Sequence, residues 1–321
     1  MDSLITEDYS IYNADCVDVM SQIPESSIAL SIYSPPFAGL YNYSSSNRDM
    51  SNCMSREEFM QHYEFCVEQI SRVTMPGRIT AVHCTDINTP NGLWDFPNAI
   101  IELHKKYGFE YRNRITVWKE PLKVRMRTMV KSLMHKLIVE DATDCFTAMP
   151  DYVLIFKKKG ENPIPVEHES GLLHYFGATP MLPEMQQKYG TFEQLKAKYA
   201  GWEDPKTNKL SHIIWQRYAS SVWDDIRIDN VLKYREARAN EEEKHCHPLQ
   251  LDVIDRVVYL YSNPGEVVLT PFAGVGSEVY SPVSLGRKAI GVELKPTYYR
   301  QMVENMQGVK YRFGKQAELI F

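Results

Sequence analysis

A polar residue followed by two prolines and an aromatic residue occurs at Ser34-Pro35-Pro36-Phe37, directly after the apolar run 28–33. Prolines have a fixed φ angle and no backbone N–H, so this peptide is stiff and its carbonyl groups are free to accept hydrogen bonds from a bound molecule. The serine hydroxyl adds a group that both donates and accepts. The tetrapeptide alone favours an ordinary proline turn at a strand end, and a substrate-binding turn is the alternative.

A second motif, Thr270-Pro-Phe-Ala-Gly-Val-Gly-Ser277, follows another apolar run. Gly274 and Gly276 allow a tight turn and let a ligand approach the backbone closely. The loop lacks the third glycine of a dinucleotide fingerprint and the lysine of a phosphate-binding loop, so it does not indicate phosphate binding. Glu293 ends the next predicted strand about 20 residues later, where an acidic side chain is placed to hold the hydroxyl groups of a ribose.

Alternating strands and helices position these two motifs. A Ser55/Glu58 pair predicts a capping box at the start of one helix, and apolar stripes predict helices over 248–261 and 298–306. Buried strands are predicted at 28–33, 79–84, 114–118, 152–157, 266–270 and 288–294. This alternation predicts a doubly wound, mostly parallel α/β sheet, in which ligands bind at the carboxyl ends of the strands.

The segment from residue 160 to 240 interrupts this pattern. It contains five prolines, three tryptophans and many charges, and its hydrophobic periodicity is weak. We interpret it as an irregular insertion or a small second lobe. The predicted division of the chain is therefore a first half at 1–159, an insertion at 160–244 and a second half at 245–321.

Composition restricts the class of protein. The 321 residues include 36 Lys+Arg and 41 Asp+Glu, a net charge of −5, and 44% are hydrophobic, which is ordinary for a globular protein with a real core. No apolar run approaches the roughly 18 residues of a membrane helix. The N-terminus is acidic where a secretory signal is basic. We therefore expect a cytoplasmic protein without a membrane partner.

The cysteines predict neither disulfides nor a metal site. All six are scattered without a C-x-x-C pair, which suits a reducing compartment and excludes a zinc ribbon. The local cluster His245-Cys246-His247 has no second ligand pair elsewhere in the chain, so we interpret it as a solvated loop.

Positive charge is concentrated between Lys119 and Lys136, where six basic residues accompany the single acid Glu120. Such a concentration in an acidic chain indicates a surface that faces phosphate groups. A solvated basic helix face explains the stretch equally well.

Taken together, the two motifs resemble those of the S-adenosylmethionine-dependent amino-methyltransferases that act on DNA. The loop at 270–277 resembles their D-P-F-x-G-x-G cofactor loop, and Ser34-Pro-Pro-Phe37 resembles their catalytic (D/N/S)-P-P-(Y/F/W) tetrapeptide. The catalytic motif comes first, which is similar to the circularly permuted beta group of these enzymes. In that group a target-recognition region lies between the motifs, where this chain has its insertion. The resemblance covers about 10–160 and 245–310.

The resemblance implies a Rossmann-like methyltransferase fold and S-adenosylmethionine as cofactor. Asp15-Cys16 resembles the family's G-D element near the adenine, and His247-Pro-Leu-Gln250 resembles its H-P-x-Q stretch. The implied cofactor-binding residues are Asp15, Cys16, His247, Pro248, Gln250, Thr270, Pro271, Phe272, Gly274, Gly276, Ser277, Glu293 and Leu294.

Three positions depart from the family pattern. Thr270 replaces the usual aspartate of the cofactor loop, Ala14 replaces glycine before Asp15, and Ser277-Glu278 stands where threonine is common. These changes are compatible with the backbone geometry of the family. They leave open which contact residue 270 makes with the methionine group.

The implied reaction is methyl transfer to the exocyclic amine of a base that is flipped out of double-stranded DNA. The Ser34 side chain and the Pro35 carbonyl would accept hydrogen bonds from the amine, within the stiff turn completed by Pro36, and Phe37 would stack on the base. Serine in the first position favours N4 of cytosine, and N6 of adenine stays open. Methylation at C5 of cytosine is not expected, because no cysteine follows a proline.

Two further classes of function stay open: an N-methyltransferase of the same fold that acts on RNA, protein or a small molecule, and a non-catalytic DNA-binding relic. With DNA as the partner, the resemblance also allows a homodimer and a cognate restriction nuclease, in a bacterium or in the host cell of a phage. The basic residues of the insertion (Arg217, Arg227, Lys233, Arg235, Arg238) are candidates for base or phosphate contacts. The predicted DNA-binding residues are Arg48, Lys123, Arg125, Arg127 and Lys131.

Overall fold

The structure is a computed structural model that describes residues 2–36, 49–89, 92–237 and 248–313. The strands in these ranges are β1 (Asp2–Ile5), β2 (Tyr9–Asn13), β3 (Ile28–Tyr33), β4 (Thr74–Cys84), β5 (Ile87–Thr89), β6 (Gly92–Trp94), β7 (Phe109–Val117), β8 (Asp151–Lys158), β9 (Val222–Trp223), β10 (Val267–Thr270) and β11 (Lys288–Glu293). The helices are α1 (Cys16–Met20), α2 (Arg56–Val73), α3 (Phe96–Lys106), α4 (Pro121–Thr128), α5 (His135–Glu140), α6 (Pro183–Tyr189), α7 (Phe192–Tyr199), α8 (Lys209–Tyr218), α9 (Leu251–Tyr261), α10 (Ser277–Ser284) and α11 (Pro296–Gln307).

Nine of these strands form one sheet in the order β1-β2-β11-β10-β3-β4-β8-β7-β9. The five strands β2, β11, β10, β3 and β4 run parallel to one another. β8 is antiparallel to both β4 and β7, so β7 runs in the same direction as β4. The predicted doubly wound, mostly parallel α/β fold is confirmed. β5 and β6 pair separately as a hairpin.

Helices cover both faces of the sheet because the central strands are apolar on both sides. All six residues of β3 are buried. Tyr33 packs with α1, α2 and α3 on one face, whereas Leu30 and Ile32 pack with α8 and α9 on the other. None of the helices in the described ranges combines the length and hydropathy that a membrane span requires.

Ser55 caps α2 as predicted, but the reciprocal bond of a capping box, from the Ser55 N–H to Glu58, is replaced by one from the Met54 N–H. The Ser55 side chain accepts a hydrogen bond from the Glu58 backbone N–H at 3.1 Å, and the Glu58 carboxylate accepts one from the Met54 N–H at 2.7 Å. The first bond satisfies a backbone donor that the first turn of the helix leaves free, and the second fixes the residue that precedes the cap.

The segment 160–237 packs onto the sheet. It contains α6, α7 and α8, and β9 pairs with β7 at the edge of the sheet. Leu172, Ile213 and Trp223 belong to the same apolar cluster as Val253 of α9. The helices here are short, so each has too few turns to produce a strong periodic pattern. The division of the chain at 159/160 and 244/245 stays a prediction.

Candidate active site

The ends of β3 and β10 bring the two sequence motifs to the same edge of the sheet. The strands are parallel neighbours, with Leu30 opposite Val268. Just beyond them, the rings of Tyr33 and Phe272 lie 5.8 Å apart between centroids in an edge-on arrangement. The Ser34-Pro-Pro turn and the glycine loop therefore lie side by side.

Within the turn, Ser34 and Pro36 are partly exposed, whereas Pro35 is buried. Phe37, Arg48 and His247, to which the sequence assigned base stacking, a DNA contact and a cofactor contact, lie outside the described residues. Their roles stay predictions.

Behind Ser34, a chain of polar contacts crosses four strand ends. Ser34 Oγ lies 2.9 Å from His83 Nδ1, and His83 Nε2 lies 3.3 Å from Asp151 Oδ2. Lys119 Nζ donates to Asp151 Oδ1 at 2.5 Å. Ser34 directly follows β3, and His83 is the last residue but one of β4. Asp151 begins β8, and Lys119 lies two residues after β7. The order β3-β4-β8-β7 is consecutive in the sheet. The sheet order thus aligns a serine, a histidine, an aspartate and a lysine along one edge.

The charge of Asp151 determines how this chain is polarised. Burial opposes ionisation of Asp151, but His83 and Lys119 outweigh it and hold the pKa of this carboxyl at about 2. His83 Nε2 forms no hydrogen bond among the described residues, but the charge of ionised Asp151 3.3 Å away favours a proton on this nitrogen of a neutral His83, which leaves Nδ1 as an acceptor. Ser34 then donates its hydroxyl proton to His83, and the lone pairs of Ser34 Oγ are available to a donor on a substrate.

The glycine loop places backbone groups around Glu293. Gly274 and Gly276 have φ angles of +53° and +96°, which favour glycine. The Gly274 N–H donates to Glu293 Oε2 at 2.8 Å, and the Lys295 N–H donates to Glu293 Oε1 at 2.8 Å. A β-carbon on Gly274 would meet no atom within 4 Å, so open space adjoins the loop. A ligand could therefore approach the backbone here.

Three buried oxygens near this loop lack a hydrogen-bond partner among the described residues: Thr270 Oγ1, Ser277 Oγ and Gln250 Oε1. Buried polar atoms in folded proteins are almost always paired, so each of these is a candidate contact for a ligand. Thr270 ends β10, Ser277 begins α10 and Gln250 precedes α9. All three belong to the set that the family resemblance implied.

Two acidic side chains beside the loop are hard to ionise without a positively charged partner. Burial raises the pKa of Glu278 to about 8, and nearby Glu293 adds to the shift. Burial also raises the pKa of Glu293 to about 7 despite the two backbone donors, and Asp49 contributes to the shift. A ligand that brings hydroxyl donors or positive charge would stabilise both carboxylates.

The remaining implied cofactor residues lie on neighbouring elements. Asp15 caps α1 by accepting from the Val17 N–H at 2.8 Å, and Cys16 is buried in the core beneath it. Asn13, which the sequence reasoning did not single out, donates to the carbonyl groups of Glu293 and Leu294 and so joins the ends of β2 and β11. Pro248, which precedes α9, is partly exposed. After β10, Pro271 is buried and Phe272 is partly exposed.

The predicted phosphate-facing stretch forms part of a long connection, residues 118–150, between the end of β7 and the start of β8. Both ends of this connection therefore lie at the edge of the sheet that holds Ser34. Lys123 and Lys131 are exposed and Arg125 is partly exposed; of Arg127 only its place in α4 is described. Exposed apolar side chains, among them Met126, accompany these cations.

Sequence reasoning was wrong about Arg217. This residue is buried and donates to Asp224 Oδ1 at 2.8 Å and to the Thr179 carbonyl at 3.1 Å, so it stabilises the fold and does not face a nucleic acid. Arg227 donates to Asp252 at 2.9 Å but is itself exposed, so its predicted contact stays a prediction. Lys233 and Arg235 are exposed, and their contacts stay predictions; Arg238 is outside the described ranges.

Sequence reasoning also missed His83 and Asp151 and gave Lys119 a different role. A signal for His83 was present, because a titratable residue near the carboxyl end of a buried parallel strand lies where ligands bind. Asp151 begins an antiparallel strand, and no motif indicated it. Lys119 was assigned to the phosphate-facing stretch, but its ammonium group is bound to Asp151.

The chain resembles known proteins in sequence. Residues 28–304 match the model of a family described as DNA methylase (N6_N4_Mtase). The Type II methyltransferase M.BglII of Bacillus subtilis is 27% identical over 296 residues, which are 90% of this chain and 66% of M.BglII. The chain thus spans less than two thirds of the length of that relative.

Solved structures share the fold. TTHA0409 from Thermus thermophilus, complexed with S-adenosyl-L-methionine, has a TM-score of 0.60 and 19% identity, covering 94% of this chain and 95% of that chain. The PvuII DNA methyltransferase, described as cytosine-N4-specific, has a TM-score of 0.58 and 14% identity, covering 97% of this chain and 90% of its own.

Proposed function

We propose that this chain, which belongs to the N6/N4 DNA methylase family, is a site-specific DNA methyltransferase. It transfers a methyl group from S-adenosylmethionine to the exocyclic amine of a base in double-stranded DNA, at N4 of cytosine. The observation that carries the proposal is the juxtaposition of the Ser34-Pro-Pro turn with the glycine loop at 270–277, with His83 bonded to Ser34.

The residues around the glycine loop suit the cofactor. Glu293 has lone pairs beyond those that its two backbone donors use, so it can accept the hydroxyl groups of a ribose. Thr270, Ser277 and Gln250 offer unpaired oxygens, and Gly274 borders open space. When bound, S-adenosylmethionine supplies a sulfonium group whose methyl carbon is electrophilic. The complex of TTHA0409 with this cofactor supports the assignment.

The turn at Ser34 activates the amine. The exocyclic nitrogen of a base is a poor nucleophile because its lone pair is delocalised into the ring. Hydrogen bonds from the amino group to Ser34 Oγ and to the Pro35 carbonyl favour a pyramidal nitrogen, whose lone pair then points at the methyl carbon. This catalysis consists of orientation and of fixed dipoles and needs no strong base.

The polar chain behind Ser34 gives the amine's extra proton a destination. After methyl transfer the nitrogen is positively charged, and one of its protons passes to Ser34 Oγ as the serine hydroxyl proton passes to His83 Nδ1. Ser34 ends as a hydroxyl, and His83 ends as an imidazolium beside ionised Asp151. A carboxylate that stabilises a transient imidazolium in this way is familiar from hydrolytic triads.

Access to the amine requires that the base leave the duplex, because methylation occurs inside a pocket that a stacked base cannot enter. The connection 118–150, with Lys123, Arg125 and Lys131, is the surface that we assign to the DNA backbone. Acting in restriction–modification, the protein would protect host DNA from a nuclease with the same recognition sequence. A homodimer stays a prediction.

Serine at position 34 is the basis for choosing cytosine, since the family members with serine there are more often N4 enzymes. The experiment that tests both reaction and base is incubation of the protein with methyl-labelled S-adenosylmethionine and unmethylated duplex DNA, followed by mass spectrometry of the nucleosides. We expect N4-methylcytosine. N6-methyladenine would overturn the choice of base only. Label in RNA or protein but not in DNA would overturn the substrate.

A separate measurement addresses the non-catalytic alternative. Calorimetric titration of the protein with S-adenosylmethionine should show one binding site per chain. DNA binding without any cofactor binding would identify a relic of the fold and would contradict the proposed enzyme.

A further inference from the structure

Three side chains with metal-binding donor atoms meet at the start of α2, apart from the residues that we assign to methyl transfer. They are Cys53, Glu58 and His62, and their ligand atoms all lie within 4.8 Å of one another. The Cys53 Sγ and His62 Nδ1 atoms are 3.5 Å apart. Each residue is partly buried, so the cluster is neither an exposed acidic patch nor sealed from solvent.

The local fold explains why these residues meet. Glu58 and His62 are four residues apart on α2 and therefore share one face of the helix. Cys53 approaches that face from the 3₁₀ turn Met50–Asn52, which precedes the helix. Because Glu58 Oε2 accepts the Met54 N–H, the carboxylate is held over the cluster while its other oxygen remains available to a ligand.

We propose that Cys53, Glu58 and His62 bind a zinc ion. Thiolate, imidazole and carboxylate are the three ligand types that proteins offer to zinc. With a Zn–S bond of about 2.3 Å and a Zn–N bond of about 2.0 Å, tetrahedral geometry separates the sulfur and nitrogen atoms by about 3.5 Å. The observed 3.5 Å matches this separation. Three protein ligands leave the fourth position to water.

The electrostatic surroundings suit a divalent cation. The carboxylates of Glu58 and Asp49 place negative charge beside the Cys53 thiol. A cation at this point would be attracted by the same carboxylates and would stabilise the thiolate. An ordinary S–H···N hydrogen bond accounts for the Cys53–His62 distance as well, and the metal titration below distinguishes the two.

The position of the cluster suggests what the ion does. Residues 49–53 lead from the part of the chain that follows Ser34-Pro-Pro into α2. A metal bound to Cys53, Glu58 and His62 would attach the segment 49–53 to α2. This helix is anchored in the core, because its Phe59 and Tyr63 are fully buried. The proposed role is therefore structural.

The test is a Co²⁺ titration of the full-length protein after removal of metal, followed by competition with Zn²⁺. We expect one ion per chain, a thiolate-to-cobalt charge-transfer absorption, and its loss on addition of zinc. Cys53→Ser should abolish this absorption. Cys145→Ser is the matched control, because Cys145 is also a partly buried free thiol but lies outside the cluster, and it should keep the absorption.

Glu58→Gln keeps an oxygen that can accept the Met54 N–H, so its fold should be preserved. Since loss of a group that merely supports a metal ligand weakens binding 10- to 100-fold, loss of a ligand should weaken Zn²⁺ binding by at least about tenfold. Absence of the absorption in the unaltered protein, its survival in Cys53→Ser, or unchanged affinity in Glu58→Gln would overturn the proposal. None of these readouts depends on methyl transfer.

Discussion

The protonation of His83 determines what the Ser34 hydroxyl can offer to a base. With neutral His83 and its proton toward Asp151, Ser34 donates to His83 and presents only lone pairs, which suit the amino group of either cytosine or adenine. With His83 doubly protonated, Ser34 accepts from His83 and its own proton is free for the ring acceptor beside the amine, N3 of cytosine or N1 of adenine. The hydroxyl alone therefore does not choose between the two bases, and the choice of cytosine rests on the family pattern.

Replacement of Ser34 by alanine tests this hydroxyl directly. The variant removes one hydrogen bond to the amine and the link to His83, so kcat should fall on the order of 10²-fold, the usual effect of losing one catalytic hydrogen bond. The dissociation constant of S-adenosylmethionine should stay within about twofold, because the glycine loop is unchanged. Methyl incorporation into duplex DNA and calorimetry measure the two effects. Unchanged turnover would contradict the assigned role.

The raised pKa of Glu293 predicts pH-dependent binding of the nucleoside part of the cofactor. Burial raises this pKa to about 7, so the carboxyl is mostly protonated at pH 6 and mostly ionised at pH 8. The ionised form is the better acceptor of ribose hydroxyl groups, so affinity should rise with pH, by at most about tenfold over this range. Methylthioadenosine is the suitable ligand, since it lacks the amino group that titrates near pH 8.

Two variants separate Glu293 from its neighbour in this measurement. Glu293→Gln should flatten the pH profile of methylthioadenosine binding. Glu278→Gln, which removes the other raised carboxyl, should retain the rise through pH 7. A profile that stays steep in Glu293→Gln would place the titrating group elsewhere.

Strands were predictable where apolar runs are unbroken. β3 has the predicted bounds, because 28–33 is apolar except for Ser31 and is buried on both faces. β4 begins five residues before the predicted start, at Thr74, because Pro76 and Gly77 interrupt its apolar run without ending the strand. The strand irregularity opposite Ile28 accommodates this stretch. Periodicity identifies such a strand only where proline and glycine are absent.

The two glycines of the loop between β10 and α10 should respond differently to alanine. In Gly276→Ala the new β-carbon would lie 2.7 Å from Met302 Cγ, at a φ of +96°, so we expect a loss of about 2–4 kcal/mol in the free energy of unfolding. Gly274→Ala meets no neighbour, so it should cost only about 1–2 kcal/mol while filling space beside the proposed cofactor.

Urea unfolding and cofactor titration together distinguish these outcomes. Gly276→Ala should lose more stability than Gly274→Ala. Gly274→Ala should lose more S-adenosylmethionine affinity than its small loss of stability explains. Equal effects of both variants on both measurements would show that the open space beside Gly274 is not used by the cofactor.

The cations of the 118–150 connection predict the salt dependence of DNA binding. Each phosphate contact contributes about 0.9 to the slope of log K against log salt concentration, so Lys123→Gln/Arg125→Gln should lower the slope by up to about 2. The matched control is Lys105→Gln/Lys106→Gln at the end of α3, which removes the same charge before β7 begins, at the opposite edge of the sheet. Equal slopes in both variants would place the DNA elsewhere.

Long-range neighbours explain what sequence reasoning could and could not find. The motifs at 34–37 and 270–277 were predictable because each is a continuous segment with a distinctive composition. His83, Asp151 and Lys119 are brought to Ser34 only by the order of strands in the sheet, to which no local pattern corresponds. The Cys53 cluster likewise lacks a C-x-x-C spacing, since two of its ligands are helix neighbours and the third belongs to a turn.

The contacts that join the 160–237 segment to the rest of the molecule are also long-range and have no local sequence pattern. Arg256 of α9 is fully buried and donates to both carboxylate oxygens of Asp225 at 2.8 Å and to the Phe176 carbonyl at 2.6 Å. Its guanidinium also lies 4.9 Å from the ring centroids of Tyr218 and Trp223. This one side chain binds three parts of the segment to the helix that precedes the cofactor loop.

Arg256→Met should therefore destabilise the whole molecule by up to about 3–5 kcal/mol, because it leaves the buried carboxylate of Asp225 with Arg217, at 3.6 Å, as its remaining cation. Arg256→Met/Asp225→Asn removes the poorly compensated charge as well and should recover part of that loss. The exposed pair of Arg112 with Glu110 provides the control, for which Arg112→Met should cost no more than about 1 kcal/mol. Equilibrium unfolding in urea measures all three. A double variant no more stable than Arg256→Met would show that packing against the aromatic rings, and not charge pairing, holds the segment in place.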